Sequence, residues 1–149
     1  NDVHAAMAFV GAGRIAALDE VLDAQQAAMG GQGDNAAFTR EVGHPLTLAI
    51  KAFGEARYDE SVRLIRGVRE IAHRFGGSHA QRDLLDLTLI EAALRSGQRT
   101  LAAALCAERL TARAHSPVTR QLAARAGVAA PRSAKAAETN DLARCATPA

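Results

Sequence analysis

The chain has 149 residues, of which 48% are hydrophobic and 23% charged, enough for a single domain with a substantial core. Alanine supplies 35 residues, Val and Ile together only 13, and aromatics 3% with no Trp, so an all-β fold is excluded and closely packed helices are expected. Eighteen basic residues against 16 acidic leave a net charge of +2, too balanced for a nucleic-acid partner, and no apolar run reaches the roughly 18 residues of a membrane helix.

In chain order, the pattern predicts a helix over Asp2 to Val10, a GAG turn, and a second helix over Ile15 to Met29. The GGQGDN stretch at 30–35 reads as a loop, with Asn35 or Asp34 as N-cap of a third helix from Ala36 to Gly54, bent near Gly43 and Pro45. A fourth helix is predicted from Asp59 to Phe75, stopped by Gly76 and Gly77, and a fifth from His79 to Ser96 with Ser78 as its cap. A sixth spans Arg99 to Ala114. Ser116-Pro117 then supplies the N-cap and first residue of a short seventh helix ending at Gly127. Residues 128–149 turn to Ala, Pro, Ser and Thr without apolar period and are expected to form a disordered or weakly helical tail behind a helical-repeat domain at 1–127.

Three stretches align on a small turn residue: Gly13, Ala56 and Gly97, spaced 43 and then 41 residues apart. Three residues before each anchor stand Val10, Phe53 and Leu94. Seven before stand Ala6, Ala49 and Ile90, and nine after stand Leu22, Ile65 and Cys106. The unit is a helix–turn–helix used three times, and the turn Ala56-Arg57-Tyr58 with Ser61 resembles the tetratricopeptide repeat. Its period exceeds the standard length of about 34 residues, the surplus falling at the starts of the third and fifth helices. The expected fold is therefore all-α, a tetratricopeptide-like α-solenoid of about three antiparallel hairpins plus a C-terminal helix.

The segments NDVHAAMAFVGAGR (1–14), NAAFTREVGHP (35–45), YDESVRLIRGVREIAHRFGGSHAQRDLLDLTLIEAAL (58–94) and ERL…SP (108–117) resemble the tetratricopeptide repeat protein 38 family, most specifically at HRFGGSHAQRD (73–83). The resemblance covers roughly residues 1 to 126 and corresponds to the C-terminal part of such a protein. It implies a helical-repeat scaffold and brings no catalytic residues with it. Asn1 leads straight into helical pattern, so preceding repeats of the same chain are an expected partner of the first helix, and Met7 or Phe9 is expected in an exposed apolar patch.

Signals for chemistry are weak. His4, His44, His73, His79 and His115 form no i,i+3 or i,i+4 ligand pair and no Cys joins them, so neither a metal nor any other cofactor is expected. Cys106 and Cys145 lie too far apart for a metal motif and are expected as reduced thiols of a cytoplasmic protein. Ser78 beside His79 lacks the strand-to-helix setting of a nucleophile elbow, and the glycines at 30–33 lack the GK[ST] ending of a phosphate loop. Arg63, Arg66, Arg69 and Arg74, interspersed with Glu60 and Glu70, read as a solvated helix face.

The informative feature is positional. Thr39-Arg40-Glu41 and Gln81-Arg82-Asp83 occupy the same phase of the repeat, and His4, His44 and His79 stand near equivalent helix starts. These nine residues are expected to line one polar groove. Arg40 and Arg82 either form inter-helix ion pairs with Glu41, Asp83 or Asp86, or hold a carboxylate-bearing peptide or small molecule. The functional expectation is a non-enzymatic scaffold whose groove engages a protein or peptide. The alternative is a small-ligand-binding or enzymatic domain built on the same polar residues.

Overall fold

A computed structural model of the chain describes residues 2–75 and 79–129, the side chains of 74–75 and 79–81 excepted, and everything regular among them is helical. The helices are α1 (Asp2–Gly11), α2 (Ile15–Met29), α3 (Asp34–Phe38), α4 (His44–Gly54), α5 (Tyr58–Val68), α6 (His79–Arg95), α7 (Arg99–Ala112) and α8 (Pro117–Arg125). A π-helical segment, Thr39–Gly43, joins α3 to α4, and a 3₁₀ segment, Arg69–Phe75, continues α5. No described helix is long and apolar enough to cross a membrane. The chain divides into two compact units, residues 1–102 and 103–149.

The three turn anchors adopt one conformation. Gly13, Ala56 and Gly97 all have positive φ, at 67°, 59° and 77°. At each, the anchor N–H bonds the carbonyl three residues back (Val10, Phe53, Leu94, at 3.1–3.2 Å), and the next N–H bonds the carbonyl five back (Phe9, Ala52, Ala93, at 2.8–2.9 Å). This is the Schellman helix stop, which satisfies the last carbonyls of a helix and needs a left-handed residue. Gly127, at φ 77°, ends α8 with the same pair of bonds to Ala124 and Ala123.

Burial follows the same register. Seven residues before the anchors, Ala6, Ala49 and Ile90 are buried; five after, so are Leu18, Ser61 and Ala102; nine after, Leu22, Ile65 and Cys106. Val10, Phe53 and Leu94, three before, are each half-buried. Leu89 and Leu105 are also buried, while Leu64 and Leu101 are half-buried.

In the first unit α1 packs on α2 and α4, α4 on α5, and α5 on α6. Alanines at 6, 49, 52, 92 and 93, with almost no accessible surface, let these helices approach closely, and the larger Leu18, Val42, Leu46, Ile65, Leu89 and Ile90 fill the remaining volume. Where α1 meets α4 even a methyl group is excluded: a Cβ at Gly54 would lie 2.5 Å from Val10 Cγ1. Beside the second turn, Phe53 and Tyr58 meet edge to face at 5.4 Å, and the Arg95 guanidinium stands 5.4 Å from both ring centroids. Arg95 donates to the Tyr58 hydroxyl at 3.0 Å and to Glu91 at 2.7 Å, and these two bonds raise its pKa further, keeping it cationic.

In the second unit Ser116 caps α8 as expected, its Oγ accepting from Thr119 N–H at 3.3 Å, with Pro117 at the first helical position. Buried Arg109 donates from Nε to buried Thr119 Oγ1 at 3.0 Å.

Several boundaries differ from expectation. The N-cap of α3 is Gly33, not Asp34 or Asn35. Its φ of 99° suits glycine, and Asp34 instead places its charge in the first turn, where the helix dipole favours it. The expected bend near Gly43 and Pro45 is the π segment, in which His44 N–H reaches back five residues to the Thr39 carbonyl. Pro45 has no N–H for the Glu41 carbonyl, so the α pattern cannot run through it unbroken. The fourth predicted helix tightens to 3₁₀ after Val68, just past the poor helix former Gly67. Met7 and Phe9 are half-buried, and Phe9 is covered by the Arg14 guanidinium at 5.5 Å. The large apolar residues that stand exposed among the described residues are Ile15, Leu84 and Val118, so the expected patch at Met7 and Phe9 does not form. The Ser78 cap, the Gly76-Gly77 stop and the tail from residue 130 lie outside the described residues.

Two substitutions test this packing with opposite signs. Ala56→Gly removes a left-handed L-residue and is expected to stabilise by about 1 kcal/mol, a rise of roughly 3 °C in Tm. Gly54→Ala should lower Tm, because β-branched Val10, which strongly prefers one χ1 rotamer in a helix, must shift to make room. Differential scanning calorimetry on both variants reads the result.

Candidate functional site

The main polar cluster of the first unit is built around a residue on an otherwise apolar stripe. Along α2, Leu18, Leu22 and Gln25 are the buried positions. The Gln25 side chain, 3% exposed, donates from Nε2 to Asp2 Oδ2 at 3.1 Å and to Thr47 Oγ1 at 3.0 Å. Its Oε1 lies 3.3 Å from His44 Nδ1. Since both amide hydrogens are committed, Oε1 must accept, so the His44 hydrogen in this contact sits on Nδ1. Thr47 passes its own hydrogen to the Gly43 carbonyl at 3.0 Å. One amide thereby links α1, α2 and the junction of the π segment with α4.

Of the residues expected to line a groove, His44 joins this cluster. His4 is half-buried on α1, and Thr39 is buried in the π segment. Arg40 and Glu41 are exposed beside it. Arg40 donates from Nη2 to the Met29 carbonyl at 2.6 Å, where a cation neutralises the negative end of the α2 dipole. Arg82 and Asp83 are half-buried in the first turns of α6. The side chains of His79 and Gln81 lie outside the described residues.

Of the acidic residues considered as ion-pair partners for Arg40 and Arg82, Asp86 pairs with a different arginine. Asp86 on α6 accepts from Arg69 Nε at 2.9 Å, and Arg69 opens the 3₁₀ segment that packs against the π segment. Arg40 is spent on a helix end because the π segment turns it outward toward α2. Reading Arg63, Arg66, Arg69 and Arg74 as one solvated face therefore fails at Arg69, which is drawn to Asp86; Arg63 and Arg66 are exposed, and the side chain of Arg74 lies outside the described residues.

Asp2, Gln25 and Thr47 were missed by sequence reading. A signal for Gln25 exists: it continues the i, i+4, i+7 series begun by Leu18 and Leu22, so helical periodicity alone places an amide on the core face. Thr47 gives no such signal, because threonine occurs equally on half-buried faces.

The cluster is suited to holding structure. The Thr47 hydroxyl is committed to a backbone carbonyl, and His44 faces a neutral amide rather than the carboxylate that orients a catalytic base. No group of three or more His, Cys, Asp or Glu residues able to hold a metal occurs among the described residues. Cys106 is fully buried, and burial pushes its thiol pKa up, which depletes the reactive thiolate. Ser61 Oγ is buried with no hydrogen-bond partner, on the α5 face that packs inward. No family model matches the chain, and no solved structure matches it either.

Gln25→Leu should destabilise the protein by about 2–3 kcal/mol, because Asp2, Thr47 and His44 each lose a partner while staying in place. Urea denaturation followed by circular dichroism measures it. In a Cys145→Ser variant, Cys106 should react with a disulfide reagent at a small fraction of its rate in urea.

Proposed function

We propose that the chain is a non-enzymatic helical-repeat scaffold of the tetratricopeptide type, related to the tetratricopeptide repeat protein 38 family, and that it binds a protein or peptide in the cytoplasm. The observation that supports this best is the recurrence of one helix stop at Gly13, Ala56 and Gly97, spaced 43 and 41 residues apart, with matching burial on either side. A chain that repeats one hairpin puts equivalent side chains at regular intervals, which suits it to reading an extended partner rather than enclosing a small substrate.

The face proposed for binding carries Arg40 and Glu41 on one repeat and Arg82 and Asp83 on the next. The exposure of Arg40 and Glu41 supports this choice. The polar contacts of Gln25 and of Arg69 with Asp86 are made by other residues.

The test is affinity capture with the full-length protein, repeated with Arg40→Ala and Arg82→Ala. One partner should be recovered with the natural protein and should bind roughly tenfold more weakly to the variants, with unchanged far-ultraviolet circular dichroism. Equal capture by the double variant would remove the arginines from the interface.

A further inference from the structure

Within the first unit, a cleft of about 400 Å³ is lined by Asp59, Val62, Arg63, Arg66, Gly67 and Gln98. It is separate from the Arg40 and Arg82 face. Resting on the scaffold reading above, we propose that this cleft is a docking site for an extended acidic peptide segment of a partner protein.

The cationic side consists of Arg63 and Arg66, one turn apart on α5. Arg63 is 71% exposed and only grazes Glu60 at 4.0 Å, while Arg66 has no hydrogen-bond or ion-pair partner among the described residues. Elsewhere on this helix and its turn the acidic groups are already engaged: Glu55 and Glu60 both pair with Arg57. Like charges one turn apart disfavour the isolated helix, a penalty that a bound anion reverses.

The opposite side offers acceptors. Gln98 donates both amide hydrogens, to Asp59 Oδ1 at 2.9 Å and to Ser96 Oγ at 3.2 Å, which fixes the side chain and leaves its Oε1 with acceptor capacity. The second carboxylate oxygen of Asp59 is likewise an acceptor. A phosphate brings at most one or two O–H donors to such groups and meets the Asp59 charge unfavourably. A peptide brings both halves of the match, with backbone N–H groups for Asp59 and Gln98 and carboxylates for the arginines. Carboxylates on alternate residues of an extended strand project about 6–7 Å apart along one face, close to the roughly 5–6 Å between Cβ atoms one helical turn apart.

Between the two sides the floor is open. Val62 is buried beneath the cleft, and a Cβ built on Gly67 meets nothing within 4 Å. Gly67 thus leaves room for a strand to lie across α5.

Fluorescence anisotropy of fluorescein-labelled hexaglutamate at low ionic strength tests the site on the full chain. The natural protein should bind the peptide, added salt should weaken binding, and Arg66→Glu or Arg63→Glu should weaken it at least about tenfold. Gly67→Leu, which fills the floor without changing charge, should weaken it comparably, with circular dichroism confirming that each variant is folded. Absence of binding, undiminished binding to Gly67→Leu, or full displacement of the peptide by millimolar inorganic phosphate would overturn the proposal. Partner capture that depends on Arg40 and Arg82 but not on Arg66 would leave the scaffold standing and remove this cleft from it.

Discussion

The left-handed helix stop is the constraint on which this structure depends. A helix that simply frays sends the following chain in many directions, whereas the Schellman bonds fix both the last turn and the departure of the next residue. Gly13, Ala56 and Gly97 share a positive φ and the same hydrogen-bond pattern, so the helix before each one ends in the same way. The equivalence in burial at positions seven before, five after and nine after the anchors follows from that shared geometry.

A second constraint comes from composition. With so few aromatic residues, the helices cannot be wedged apart by large rings and must come close, as the buried alanines and the Val10–Gly54 contact show. Close approach leaves little slack for error in rotation about a helix axis. The Gln25 amide supplies the directional information that alanine contacts lack, since its partners on α1 and α4 satisfy it in one rotation only. The aromatic pair that the chain does possess is used at the second turn, where Arg95 closes over it.

How much was legible in the sequence depends on whether a feature is local. The turns were legible because a positive φ requires a small residue at a fixed place, and the helices because their apolar residues recur with the helical period. Even Ala56, an L-residue in a glycine position, was found through its flanking pattern. The π and 3₁₀ segments were not legible as such: one joins α3 to α4 just before Pro45, and the other packs beside it and is tied to Asp86 by a side chain seventeen residues distant. Of the candidate groove, neither the exposure of Arg40 and Glu41 nor the choice of Met29 as the partner of Arg40 was legible, because both depend on where the π segment and the end of α2 lie in space.

The π segment also bears on how the chain can change in length. A π turn is the footprint of one extra residue accommodated in an α-helix. Deleting a single residue between Thr39 and Gly43 would remove that extra residue, although Pro45 would still interrupt the α hydrogen bonding between Asp34 and Gly54. It would also rotate the preceding turn by about 100° relative to α4. Ala36, now buried, would swing toward water, and the 30–35 loop would have to be rebuilt to reach it. The bulge therefore fixes the number of residues between the second and third major helices: an insertion or deletion there that is silent in the loop becomes a change of face in the helix.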